Sequence, residues 1–119
     1  MTTHEKRKYL RISGFLEGTF ESEPGVQGLI MLTNFTREGV GVALNRRVSK
    51  GTRISMEAWI PGSIVPVFAR GEVVWSGPGK AGWTYPFEAG IRLVNIERED
   101  VYRMLDYIFE CWRTEQKPV

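Results

Sequence analysis

The chain is poor in the side chains that build disulfides, metal centres and nucleophilic active sites. Its 119 residues include one cysteine, Cys111, and one histidine, His4. A single cysteine cannot form an internal disulfide, so nothing in the composition indicates an oxidising compartment. Without a cluster of histidine and cysteine, the usual zinc and iron sites are disfavoured, as are Ser/His/Asp and Cys/His catalytic arrangements. We therefore predict neither a metal, nor a cofactor, nor an enzymatic activity.

Long apolar runs are also missing. No stretch approaches the roughly 20 apolar residues that span a bilayer, and the N-terminus lacks the apolar core of a signal peptide. We expect a cytoplasmic protein with no membrane insertion. Residues 1–5 are predicted to be a flexible tail, residues 6–114 a single domain, and residues 115–119 a second short tail.

The overall charge is too small for a protein that binds long polyanions. The chain has 16 Lys and Arg residues and 14 Asp and Glu residues, which gives a formal net charge of +2. The basic character is local, because Lys6, Arg7, Lys8 and Arg11 fall within six positions. Guanidinium groups offer paired donors that suit phosphate or a guanine edge, so this cluster predicts a small anionic ligand and not a duplex.

Short stretches with strand character recur about every dozen residues and are separated by Gly/Pro turns. Apolar residues recur at every second position in 54–60, 65–75 and 89–94, which is the period of a half-buried strand. Together with stretches near 15–20, 28–32 and 40–44 they make about six strands. The Gly/Pro-rich residues 76–82 are predicted to form a loop.

The apolar period then changes from two to 3.6 residues, which predicts a helix at about 97–113. Asn95 is a candidate for its N-terminal cap. Its apolar face is formed by Val101, Met104, Leu105, Ile108 and Trp112. We predict a mainly β fold, a closed or nearly closed antiparallel barrel of six strands with a C-terminal α-helix packed on its outside or its mouth.

Two short motifs stand about two dozen residues apart, R-x-x-x-R and N-x-T-x-x-G. Their defined positions are Arg7, Arg11, Asn34, Thr36 and Gly39. In this order the pair resembles the signature of PilZ domains, in which R-x-x-x-R is followed by [D/N]-x-S-x-x-G. Later stretches, G-E-V-V-W and A-G-I-R-L, are similar to that family's strands, so the resemblance extends over nearly the whole chain.

The resemblance implies a PilZ-like six-stranded β-barrel that binds the bacterial second messenger cyclic di-GMP. It implies that Arg7 and Arg11 clamp phosphate and guanine and that Asn34 and Thr36 hydrogen-bond the base. Gly39 is implied to allow the turn and a close approach of the ligand. A cyclic dinucleotide presents two phosphates and two guanine edges, and arginine can serve phosphate, base edge and stacking alike.

Three further positions carry weaker implications. Trp75 matches a tryptophan near the ligand in the family, although packing in the core or at the rim is the favoured explanation. Lys6 stands where the family often has another basic residue, and it leaves open whether one or two ligands bind. Thr36 replaces the usual serine; it keeps the hydroxyl but adds a methyl group that stiffens χ1 beside the base.

Taken singly, each motif also has a simple structural reading. A basic run near a terminus is often a solvated tail, and residues 34–39 could form an ordinary hairpin turn, since Asn and Gly are favoured there. Only the combination of both motifs points to a nucleotide.

The leading hypothesis is a cyclic di-GMP receptor whose arginine segment orders on binding and alters contact with an unidentified downstream protein. The alternative is an adaptor that keeps the fold but binds no nucleotide; retention of the arginine motif argues against it. A small barrel that binds single-stranded nucleic acid would need a basic groove with interleaved aromatics, whereas most of the basic residues outside the N-terminal cluster are scattered and are offset by 14 acidic residues. The oligomeric state is left as monomer or ligand-dependent dimer.

Overall fold

The computed structural model describes residues 16–23, 25–35, 39–79 and 84–116, apart from the side chains at 112 and 114–116. Within these residues six strands precede one helix, and their bounds are β1 Leu16–Ser22, β2 Val26–Phe35, β3 Gly39–Leu44, β4 Arg53–Trp59, β5 Val67–Pro78, β6 Phe87–Ile96 and α1 Arg98–Gln116.

The strands close into an antiparallel barrel in the order β1-β2-β3-β6-β5-β4, with β4 pairing back onto β1. The predicted six-stranded barrel with a C-terminal helix is confirmed. Closure pairs every strand on both sides, which removes the free sheet edges that would otherwise invite aggregation.

Alternation of side chains places the core inside the barrel. In β1, Leu16, Phe20 and the residues between them alternate strictly between buried and exposed, as a strand with one face on the core must. The inward positions of all six strands form one continuous apolar cluster. Their outward neighbours are therefore the positions available to a ligand.

The helix covers the barrel with part of the predicted apolar face, because Met104 and Ile108 are buried whereas Leu105 is 43% exposed. Met104 and Ile108 are 1% and 2% exposed, and Met104 contacts the apolar lining formed by β2 to β6. Burial and the contact with the Cys111 thiol raise the pKa of Tyr107 to about 12. No helix within the described ranges is both long enough and apolar enough to cross a membrane.

Two local predictions were wrong. Strand β5 continues to Pro78 and so includes the first three residues of the predicted loop, because Ser76 and Gly77 pair with β6. Cross-strand pairing outweighs their low strand propensity, and Pro78 stands at the strand end, where its missing N–H costs little. Asn95 is no cap, since it lies within β6. Residue Glu97 precedes the helix, and its carbonyl accepts the hydrogen bond from Val101 N at 3.1 Å.

Candidate functional site

Three of the seven predicted site residues lie in the described part of the chain: Asn34 at the end of β2, Gly39 at the start of β3, and Trp75 in β5. The other four predictions fall outside the described residues; they are Lys6, Arg7, Arg11 and Thr36.

Asn34 faces outward because of a β-bulge. The pairing of β2 with β3 shifts between Leu32 and Asn34, so that Thr33 is an extra residue without a partner. Leu32 points into the core and is buried. In a regular strand the residue two positions later would point the same way. The extra residue reverses that orientation and turns the amide to the outer surface.

Trp75 is exposed for the same reason. Val73 is buried in the core, and the pairing of β5 with β6 shifts between Val73 and Trp75, which leaves Val74 as the extra residue. Trp75 would otherwise enter the barrel interior, where a large indole would have to displace packed side chains. With the bulge, 49% of its surface is exposed on the outer face.

The two side chains are the ends of a row of four paired residues that crosses four strands and has two glycines in its middle. Asn34 pairs with Gly41, Gly41 with Gly90, and Gly90 with Trp75. A Cβ at Gly41 would lie 2.9 Å from the Asn34 side-chain oxygen, and one at Gly90 would overlap the indole nitrogen of Trp75. The asparagine therefore lies over β3 and the indole over β6. We call this row the glycine floor: Gly41 and Gly90, bounded by Asn34 and Trp75.

A hydrogen bond fixes the orientation of Asn34. The backbone N–H of Gly41 donates to Asn34 Oδ1 at 2.9 Å. The amide oxygen is thus engaged by the barrel, while the NH2 group of the same amide can donate to the N7 and O6 acceptors of a guanine. The indole supplies an aromatic surface against which a base can pack.

The barrel gives a structural reason for glycine at position 39. The φ of Gly39 does not lie in the left-handed region, which among the described glycines is reached by Gly25, Gly51 and Gly62. Instead, a Cβ at Gly39 would overlap the carbonyl oxygen of Ile91. The glycine is required by the close approach of β6, and the approach of a ligand remains a prediction.

The sequence analysis did not predict one charged pair that lies beside the glycine floor. Arg92 of β6 is directly opposite Gly39 on one side and Glu72 of β5 on the other. Its NH2 group donates to Glu72 Oε1 at 2.7 Å. The sequence shows that each residue occupies an outward position of a strand with alternating side chains. It does not show that the two residues are opposite each other, because that depends on the register of the strands.

Beyond this pair the outer face sinks into a depression of about 830 Å³ on β1, β4, β5 and β6. Its charged lining residues are Glu21, Glu23, Arg53, Arg70, Glu72 and Arg92. Neither Asn34 nor Trp75 lines it, so the depression lies beside the glycine floor and meets it at Arg92. Within the described ranges no group of three or more His, Cys, Asp or Glu side chains is placed to hold a metal ion.

Comparison with known proteins agrees with this architecture. The family model of the PilZ domain matches residues 5–110. The model covers most of the chain, and the chain folds into a closed six-stranded barrel with a terminal helix. These two findings define a PilZ-type domain. The chain belongs to the PilZ domain family.

A solved structure shares the fold at low sequence similarity. It is that of the Bacillus subtilis inhibitor of motility MotI/DgrA, with a TM-score of 0.68 and 14% identity. The match covers 93% of this chain and 53% of that protein, so the chain spans about half the length of its structural neighbour. No curated protein sequence is significantly similar.

Proposed function

We propose that this protein is a cytoplasmic bacterial receptor for cyclic di-GMP, which binds the nucleotide over the glycine floor and relays binding to a downstream protein. Family membership supports a receptor or adaptor role in general. The pattern of the two motifs and the geometry around Asn34 support the specific ligand.

The observation that carries the proposal is that antiparallel pairing brings the start of β1 beside the end of β2, where Asn34 lies. Leu16, the first residue of β1, is directly opposite Leu32, two residues before Asn34. Arg11 precedes Leu16 by five residues, so the chain can separate their Cα atoms by at most about 17 Å. A cyclic dinucleotide on the floor is therefore within reach of the arginine motif.

The proposed division of roles follows from the chemistry of each group. Arg7 and Arg11 bind phosphate and the guanine edge, with Lys6 as a further cation. Asn34 and Thr36 hydrogen-bond the base, Gly39 permits the close approach, and Trp75 packs against the ligand.

Calorimetric titration with cyclic di-GMP tests the proposal. We expect micromolar or tighter binding, which corresponds to about 8.2 kcal/mol or more at 25 °C. A charge-assisted hydrogen bond contributes about 1.5–3 kcal/mol, so Arg7→Ala and Arg11→Ala should each weaken binding by about an order of magnitude or more. Cyclic di-AMP, which lacks the guanine edge, is the matched ligand control and should bind more weakly. The fitted ratio decides between one ligand and two.

A second candidate function is favoured by Thr36, the one departure from the family pattern. Its methyl group takes space beside the proposed base position. If the folded protein shows no binding and Thr36→Ser restores it, the chain is an adaptor that has lost the nucleotide. Absence of binding in both proteins would contradict the receptor proposal outright.

A further inference from the structure

We propose that Arg92 is an additional ligand-binding residue that contacts a phosphate of the nucleotide, a role outside both sequence motifs. This inference rests on the proposed function and adds a contact on β6 to it. Among the described residues, Arg92 is the basic side chain that pairs directly with a motif residue, Gly39.

The first argument is position. Arg92 is two residues beyond Gly90 on β6, and because Ile91 between them is buried, both flanking residues lie on the outer face. Two residues along a strand correspond to about 6.6–6.8 Å. Arg92 therefore stands at the border of the glycine floor, within side-chain reach of a ligand whose base rests against Trp75.

The second argument concerns the described residues of β3 at that border. Neither Gly39 nor Gly41 carries a side chain that could separate the guanidinium from the floor. On the other side of Arg92 lies the charged depression, which it helps to line. A cyclic dinucleotide is wider than one base, so a ligand on the floor extends toward this boundary.

The third argument is the exposure and the hydrogen bonding of the Arg92 guanidinium. Glu72 engages it through a single 2.7 Å contact at one terminal nitrogen, and 58% of the arginine side chain is exposed. An arginine offers five N–H donors in a rigid fork. The glutamate therefore steadies the side chain while most donors remain for an anion.

The barrel also supplies a matched control. Arg53 pairs with Glu72 from the opposite side, so that Gly39, Arg92, Glu72 and Arg53 form one row across β3, β6, β5 and β4. With strands about 4.8 Å apart, Arg92 is one strand from the motif glycine and Arg53 is three strands, or about 14 Å, away. The two arginines carry the same charge, and both are directly opposite Glu72 in the strand register.

Titration of the full chain with cyclic di-GMP separates a direct contact from a general effect of charge. We expect Arg92→Ala to raise Kd about tenfold or more, Arg53→Ala to change it by less than about twofold, and Arg92→Lys to lie between them, since it keeps the charge but loses the fork. Circular dichroism with thermal unfolding checks that each variant is folded. If Arg92→Ala is misfolded, Arg92→Lys carries the test.

The outcomes distinguish this inference from the function on which it rests. Binding by the unaltered protein with an unchanged Kd in Arg92→Ala overturns only the role of Arg92. Equal losses in Arg92→Ala and Arg53→Ala also overturn it, because they indicate a charge effect without contact. An unaltered protein that binds no cyclic di-GMP overturns both.

Discussion

Asn34 has a structural role in the barrel in addition to the role proposed for it in ligand binding. Its Oδ1 accepts the Gly41 N–H beside a bulge that leaves Thr33 unpaired. The family pattern accepts aspartate or asparagine here, and both supply that acceptor oxygen. The requirement for one of these two side chains therefore has a structural component that is separate from base recognition.

Replacing Asn34 tests this component. Asn34→Ala should lower the free energy of unfolding by about 1 kcal/mol, because the half-buried N–H of Gly41 loses its partner. Asn34→Asp keeps the acceptor and should stay near the stability of the unaltered protein. Urea unfolding measures both. Equal stability of the alanine and aspartate variants would show that the hydrogen bond does not hold the bulge.

At the scale of elements, the helix is joined to the β4–β5 connection by one arginine. Arg103 donates to Ser63 Oγ at 2.8 Å and to the carbonyl oxygens of Val65 and Pro66, and it pairs with Asp100 at 2.9 Å. Asp100 in turn accepts from the backbone N–H of Phe68 at 3.3 Å. The two charged side chains are only 27% and 15% exposed, so the pair fixes the first turns of α1 against the start of β5.

The same helix contains a control for this interaction. Arg103→Ala should destabilise the protein by about 1–3 kcal/mol, since partly buried acceptors and the Asp100 carboxylate lose a charged donor. Arg113 forms an ion pair of the same i,i+3 spacing with Glu110, but both side chains are more than half exposed, and Arg113→Ala should change stability by less than about 0.5 kcal/mol. Thermal and urea unfolding measure the difference. Similar losses in the two variants would mean that the contacts of Arg103 with the connection contribute little.

For the molecule as a whole, the proposed signal is a change in order at one end of a barrel that itself stays closed. Every strand is paired on both sides, so ligand binding has little freedom to rearrange the sheet. A response that alters a protein–protein surface must then come from segments outside the barrel. We expect the arginine motif, which precedes β1 in the sequence, to be the segment that responds.

Amide hydrogen exchange tests this response. Saturating cyclic di-GMP should slow exchange in residues 5–12, because the ligand binds the ordered form more tightly than the disordered one. Peptides from β4, on the barrel wall away from Asn34, should exchange at the same rate with and without ligand. Equal exchange of residues 5–12 in both conditions would refute ligand-induced ordering even if the nucleotide binds.

The sequence by itself determined the number of strands, the terminal helix and the two motifs, since side-chain period and turn residues are local properties of the chain. Only the tertiary structure decided which way Asn34 and Trp75 face, because each follows a bulge that exists only relative to a partner strand. It likewise decided that Arg92 stands between Gly39 and Glu72 and that β5 continues to Pro78. Register joins residues far apart in sequence, and no local pattern records which of them will be opposite one another.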